Sequence, residues 1–176
     1  VLCEKFAVGN VCYALIGAAI PLMISGGFHV DGYMDTMDAF HSYQSREKKL
    51  EILKDSHIGA FAAIMLALYY MIDIAAISEI HTQKAVSAVA AVFFLARCFS
   101  GIAVMTLQPA KKEGLLYTFA SSAQKVRVKA ALYFQAALCV AIMLLVSGWY
   151  GAAAIGAALL SFFYFKKKSY KELGGI

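Results

Sequence analysis

Residues 130–165 read AALYFQAALCVAIMLLVSGWYGAAAIGAALLSFFYF and contain no charged side chain. A helix crosses the roughly 30 Å hydrocarbon core of a bilayer with about 20 residues, so this run is long enough for two short passes. The tetrapeptide GWYG at 148–151 predicts a turn that carries aromatic residues at the membrane interface. The stretch therefore predicts two membrane-spanning helices, at about 130–146 and 152–165.

The remainder of the chain has the same character. Of its 176 residues 61% are hydrophobic and 15% are charged, and the mean hydropathy is +0.69, whereas a soluble domain is about half apolar and a quarter charged. Apolar stretches at 6–28, 58–78 and 85–107 predict three more spans. Helices are expected because an isolated strand leaves its backbone groups unsatisfied in lipid. The predicted fold is all-α, a polytopic integral membrane bundle of about five transmembrane helices in a single transferase domain, 1–176.

The distribution of positive charge predicts the orientation. If the loop after the first span lies in the cytoplasm, all of the 16 Lys and Arg residues except Lys5, Lys84 and Arg97 fall on that side. This bias accounts for most of the formal net charge of +5 without a nucleic-acid partner. We predict a multi-pass protein of the cell (cytoplasmic, or inner) membrane, with the lipid bilayer as its surroundings and its polar loops facing the cytoplasm.

One acidic, polar segment, 26–59, stands between the first two spans. Its first half lies within SGGFHVDGYMDTMDAFH (25–41), where Asp31, Asp35 and Asp38 are spaced by four and three residues. On a helix these carboxylates fall within about 60° of one another. Magnesium favours a few carboxylates together with water and substrate phosphate oxygens. We predict that the three aspartates hold Mg²⁺. The alternative, a solvated acidic face, is less favoured at the end of a membrane span.

His29 is a candidate proton acceptor beside these acids. It precedes Asp31 by two residues, so on a regular helix it points away from the acid face. The neighbouring glycines can break that regularity, and a purely structural role is the alternative. Asp35, Asp38 and His29 are therefore the predicted catalytic side chains.

The second half of the segment, SREKKLEILKDSHIG (45–59), predicts a short helix capped by Ser45 that returns the chain to the membrane beside the acids. Arg97 lies in the middle of the third span, where a charge is costly unless it is paired. It is expected either to pair with an acid such as Asp73 or to reach a substrate phosphate. The predicted substrate-binding residues are Arg46, Lys54, Asp55, Ser56 and Arg97.

The two halves of the segment, GGFHVDGYMDTMD (26–38) and REKKLEILKDSHIG (46–59), resemble the signature of the cobalamin synthase family, the adenosylcobinamide-GDP ribazoletransferases. That signature is G-G-x-H-x-D-G-x-x-D-T-x-D followed by R-x-x-x-L-E-I-x-K-D-S-x-x-G. The chain departs from the family pattern at Ala39, commonly Gly, and at His57, commonly Arg. The resemblance covers the whole chain and implies a chain shorter at both ends than a full family member.

The resemblance implies a late step of vitamin B12 biosynthesis. Adenosylcobinamide-GDP would be the donor and alpha-ribazole, or its 5′-phosphate, the acceptor. The ribose 3′-hydroxyl would attack the phosphorus nearer cobinamide, and GMP would leave. In this reading the three aspartates hold Mg²⁺, one of them or His29 accepts the hydroxyl proton, and the basic residues balance phosphate charge. Whether the chain forms a homo-oligomer is left open.

Two other classes of function remain as alternatives. One is another magnesium-dependent membrane transferase, of the CDP-alcohol phosphotransferase or prenyltransferase type. The first type places Ala-Arg after an Asp-Gly pair, which Asp31-Gly32 lacks, and the second carries two separated aspartate motifs where this chain has one. The other class is an ion-coupled transporter, which usually has two related halves. No such repeat is evident in the sequence.

Overall fold

The computed structural model describes residues 8–110, 117–118 and 124–176, and across these ranges every regular element is an α-helix. Lys5 and the first two residues of the predicted span 6–28 lie outside the described residues. The helices are α1 (Asn10–Ser25), α2 (Phe28–His41), α3 (Arg46–Ile52), α4 (Ala60–Ser78), α5 (Gln83–Thr106), α6 (Lys125–Ser147) and α7 (Trp149–Leu173).

Three helices of the described residues, α4, α5 and α6, are long and apolar enough to cross a membrane, and the bent pair α1 and α2 raises the number to at most four. The all-α, polytopic prediction is confirmed, whereas about five spans were expected. The difference in the number of spans arises at the first and last helices of the described residues. Helix α1 has only 16 residues before the bend, and α7 continues without a break from its apolar part into Lys166, Lys167 and Lys168.

A corner between α1 and α2 decides where the acidic segment leaves the membrane span. Gly26 and Gly27 have φ values of 58° and 81°, a left-handed conformation that glycine adopts without steric cost. Their amides donate to the carbonyls of Met23 and Leu22 at 3.4 Å and 3.1 Å and so close α1. The two helices consequently meet at 95°, and the acids start within one turn of the corner.

The chain divides into two compact units, Val1–His81 and Thr82–Ile176. In the first unit α1 and α2 both pack against α4. Ala14, Ala18 and Ile77 form its core cluster. The Tyr13 hydroxyl donates to the carbonyl of Ile80 at 2.9 Å. Helix α4 is therefore the element on which the first unit is assembled. The single-domain assignment stays a prediction.

In the second unit α5, α6 and α7 pack against one another. The buried core cluster consists of Leu95, Cys98, Ala136, Cys139 and Met143. The end of the chain returns to the residues that follow α5. Ala110 donates to the carbonyl of Ile176 at 2.7 Å, and the Ile176 amide donates to the carbonyl of Gln108 at 2.9 Å.

The turn between α6 and α7 depends on close packing at Gly151. This residue is buried, and a Cβ atom there would overlap the carbonyl oxygen of Met143 and lie 3.3 Å from Cβ of Ser147. We expect Gly151→Ala to lower the free energy of unfolding by about 1–3 kcal/mol through overpacking. Thermal unfolding in detergent measures the change.

Gly156 in the same helix supplies the matched control, because a Cβ atom there would meet nothing within 4 Å. Gly156→Ala should leave the unfolding midpoint unchanged or raise it slightly, since alanine favours helix. Equal midpoints for the two variants would contradict the packing of α6 against α7.

Candidate active site

Helix α2 presents the acids as the spacing predicts. It runs without a break from Phe28 to His41, so Asp31, Asp35 and Asp38 stay within about 60° around its axis. Asp31 is exposed, and the other two are half-buried. Asp35 has an interaction partner of its own within the structure. The acid face is therefore accessible at its start and partly enclosed further along the helix.

The regularity of α2 keeps His29 away from that face. His29 lies in the first turn, about 160° around the axis from Asp31. Its ring meets that of Phe28 edge-on, with the ring centroids 5.6 Å apart, and it has a further interaction. The side chain is exposed. The glycines form the corner before α2 and leave the helix itself regular.

Asp38 joins the two halves of the motif. Its Oδ2 accepts a hydrogen bond from the Gly59 amide and its Oδ1 accepts one from the Ala62 amide, both at 2.7 Å. These amides lie at the start of α4, whose N-cap residue Gly59 has no side chain to offer. The first amides of a helix have no acceptor within the helix. Asp38 therefore caps α4 from another helix, which sequence reasoning missed.

An aromatic contact lies beside this cap. The ring of His41 stacks on that of Phe61, with centroids 5.4 Å apart and planes 18° apart. The His41 ring is also held by a 2.8 Å hydrogen bond between Nδ1 and the carbonyl of Met37. Ala39 and Ala62 next to these residues are 0% and 1% exposed. The cap thus lies where α2 and α4 are tightly packed, which the residues around Asp38 did not reveal.

The short helix predicted after Ser45 is present as α3. The Ser45 hydroxyl accepts from the Lys48 amide at 3.4 Å, which confirms the cap. Arg46 is exposed at the start of α3. Lys49 in the same helix is only 8% exposed and has an interaction partner. A buried lysine within a charged stretch carries no distinct signal in the sequence, and it was missed for that reason.

The connection from α3 to α4 holds three of the predicted substrate-binding residues. Lys54, Asp55 and Ser56 are all exposed, and Lys54 has an interaction of its own. The Asp55 carboxylate accepts from His57, at 2.6 Å from Nδ1 and at 3.0 Å from the amide. The side-chain bond and then the backbone bond lower the pKa of Asp55. Asp55 is therefore an anion that braces its own loop through His57.

Arg97 and Asp73 belong to different units. Arg97 lies midway along α5, is exposed and has an interaction of its own. Asp73 lies on α4 and is half-buried. The role of Arg97 toward substrate phosphates stays a prediction.

The donor set on α2 suits magnesium in a restricted way. Among the described residues, no three His, Cys, Asp or Glu side chains come together as a ready metal site. Magnesium usually takes one or two protein carboxylates and completes its shell with water and substrate phosphates. Asp31 and Asp35, one helical turn apart, fit that requirement. The metal and its three predicted ligands stay predictions.

Comparison with known proteins identifies relatives over nearly the whole chain. Residues 1–176 match the model of the family described as cobalamin-5-phosphate synthase. The adenosylcobinamide-GDP ribazoletransferase of Lachnoclostridium phytofermentans is 41% identical over 167 residues, which are 95% of this chain and 64% of that protein. The protein of the same name from Clostridium botulinum is 30% identical over 161 residues, which are 89% of this chain and 62% of the relative.

A third protein of that name, from Escherichia coli strain K12, is 27% identical over 164 residues, covering 92% of this chain and 65% of the relative. The chain therefore spans slightly less than two thirds of the length of these relatives. No solved structure matches it. Since the family match covers every residue that carries the acidic motif, the chain belongs to the cobalamin-5-phosphate synthase family.

Proposed function

We propose that this chain transfers the phosphocobinamide moiety of adenosylcobinamide-GDP to alpha-ribazole or alpha-ribazole 5′-phosphate. GMP is released, and the product is adenosylcobalamin or its 5′-phosphate. The observation that carries the proposal is the contact between the two halves of the motif: Asp38 of the first half accepts a hydrogen bond from the Gly59 amide of the second half. Three relatives named for this activity, at 27–41% identity, support it.

The reaction exchanges a phosphoanhydride bond for a phosphoester bond. The ribose 3′-hydroxyl oxygen bonds to the phosphorus nearer cobinamide, and the bond from that phosphorus to the bridging oxygen breaks. GMP leaves with the bridging oxygen and its electron pair, while the hydroxyl proton passes to a base. Such transition states are loose, so catalysis rests on positioning and on neutralising charge.

Asp31 and Asp35 are the residues proposed to hold Mg²⁺ together with substrate phosphate oxygens. When bound, the ion supplies neutralisation of the charge that develops on the phosphates. Asp35 is also the favoured acceptor for the hydroxyl proton. It lies on the acid face, whereas both oxygens of Asp38 bind the α4 backbone and His29 lies on another side of α2.

Basic residues of the second half of the motif are proposed to contact the substrate phosphates. Arg46, the first residue of α3, and Lys54, which follows that helix, are both exposed. Charge-assisted hydrogen bonds from such groups suit phosphate oxygens. Ser56 supplies a neutral donor in the same loop. Asp55 is proposed to orient this loop through His57. Arg97 of α5 is proposed to act on phosphate as well.

The proposed location is the cytoplasmic membrane, with the acidic segment on the cytoplasmic side. Many large apolar side chains on the long helices are exposed, among them Ile72 at 62%, Leu145 at 85% and Phe163 at 61%. Lipid is the surrounding in which such surfaces are stable. The positive-inside bias of the loops supports the orientation. The family match argues against a CDP-alcohol phosphotransferase, a prenyltransferase or a transporter.

A transfer assay tests the proposed function. The purified chain in liposomes receives adenosylcobinamide-GDP, alpha-ribazole 5′-phosphate and Mg²⁺, and GMP release is followed with and without EDTA. We expect GMP and a cobalamin product in equal amounts, both abolished by EDTA. The Lachnoclostridium relative serves as the positive control. If that relative turns over while this chain forms no product, the proposal is wrong for this chain.

Asp35 is the position at which we expect loss of charge to affect the proposed transfer most, since it is proposed both to hold Mg²⁺ and to accept the proton. Asp35→Asn should lower kcat at least about a hundredfold, the usual contribution of a positioned proton acceptor, while the unfolding midpoint stays near that of the wild type. The matched control is Glu79→Gln, which removes a carboxylate at the C-terminal end of α4, the end away from Asp38. This variant should keep the activity of the wild type. Full activity of Asp35→Asn would remove Asp35 from the site.

A further inference from the structure

The start of α4 depends on a carboxylate that comes from elsewhere in the chain. Gly59 and Ala62 donate to Asp38, which lies 21 and 24 residues earlier. The donor–acceptor distances of 2.7 Å are those of charge-assisted hydrogen bonds. The carboxylate also lies at the positive end of the α4 dipole, where an anion is stabilised. One side chain thus satisfies both amides.

We propose that Asp38 is a positioning residue for the transfer reaction, acting through the backbone of Gly59 and not as a magnesium ligand. The inference rests on the proposed function. Residues 54–59 lead directly into α4 and carry Lys54 and Ser56. Fixing Gly59 against α2 therefore restricts where the loop that carries these side chains can lie relative to α2.

Gly59 leaves the space that the Asp38 carboxylate occupies. A Cβ atom there would lie 2.5 Å and 2.6 Å from the two carboxylate oxygens of Asp38 and 2.7 Å from its Cγ. Contacts this short are excluded, so any larger residue would push the carboxylate away. The presence of both residues in the motif is explained by one contact, since the approach of Asp38 requires Gly59.

Binding magnesium would compete with this arrangement. Each carboxylate oxygen of Asp38 already accepts one backbone amide, which leaves it a single lone pair. Magnesium requires nearly octahedral geometry with short bonds to oxygen, so a shift of the carboxylate toward the ion would weaken the bonds to Gly59 and Ala62, and Ala62 is 1% exposed. An unsatisfied buried donor is costly. The acid face therefore divides, with Asp31 and Asp35 left for the metal.

Amide hydrogen exchange tests the contact without any substrate. In the wild type, peptides covering 58–62 should be protected because Asp38 accepts from two of their amides. We expect exchange of the Ala62 amide to be at least about tenfold faster in Asp38→Asn and in Gly59→Ala, a factor that corresponds to about 1.4 kcal/mol. Gly156→Ala is the matched glycine control and should exchange as the wild type does. Unchanged protection in Asp38→Asn would overturn the proposal.

Kinetics then separate positioning from metal binding. Asp38→Asn and Gly59→Ala should each lower kcat at least about tenfold with an unchanged half-saturating Mg²⁺ concentration, and the double variant should be no worse than the poorer single one, because both remove one contact. A raised Mg²⁺ requirement in Asp38→Asn but not in Gly59→Ala would assign Asp38 to the metal and overturn the proposal. Absence of transfer in the wild type would instead contradict the proposed function.

Discussion

The bond between one carboxylate and the first turn of α4 is the constraint on which the first unit depends. Asp38 accepts hydrogen bonds from the Gly59 and Ala62 amides, and the chain from Asp38 to Gly59 passes through α3. These bonds hold the end of that segment against α2, because Gly59 has no side chain with which to cap α4 itself. The cap holds the end of the loop that precedes α4 against Asp38 of α2.

The Gly26–Gly27 corner fixes the start of α2, whose far end carries Asp38. It turns the chain by 95°, so α2 leaves the direction of α1 just before the first acid. With a corner at its start and a cap near its end, α2 is held at two points. Asp31 and Asp35 lie between these points, where the backbone is helical and the side chains are accessible or half-buried. Charge placed on a helix that is held at both ends suits the proposed transfer, in which positioning dominates.

Much of this arrangement can be predicted from the sequence. The features that cannot be predicted depend on contacts between elements that are distant in the chain or on the geometry of a loop. Charge-free runs predict helices, since lipid leaves few alternatives, and the spacing of the aspartates predicts their shared face. Helical periodicity predicts the angle of a side chain around the helix axis but not the residue that it contacts. The hydrogen bonds between Asp38 and α4 therefore could not be predicted from the sequence. The burial of Lys49 and the pairing of Asp55 with His57 are likewise products of tertiary packing and loop geometry.

We propose that the acids of α2 divide between architecture and metal binding. Binding of Mn²⁺, followed by electron paramagnetic resonance in the presence of adenosylcobinamide-GDP, distinguishes the two roles. We expect Asp35→Asn to weaken Mn²⁺ binding at least about tenfold, equivalent to about 1.4 kcal/mol, while Asp38→Asn binds as the wild type does. Loss of Mn²⁺ from Asp38→Asn with normal binding by Asp35→Asn would contradict it.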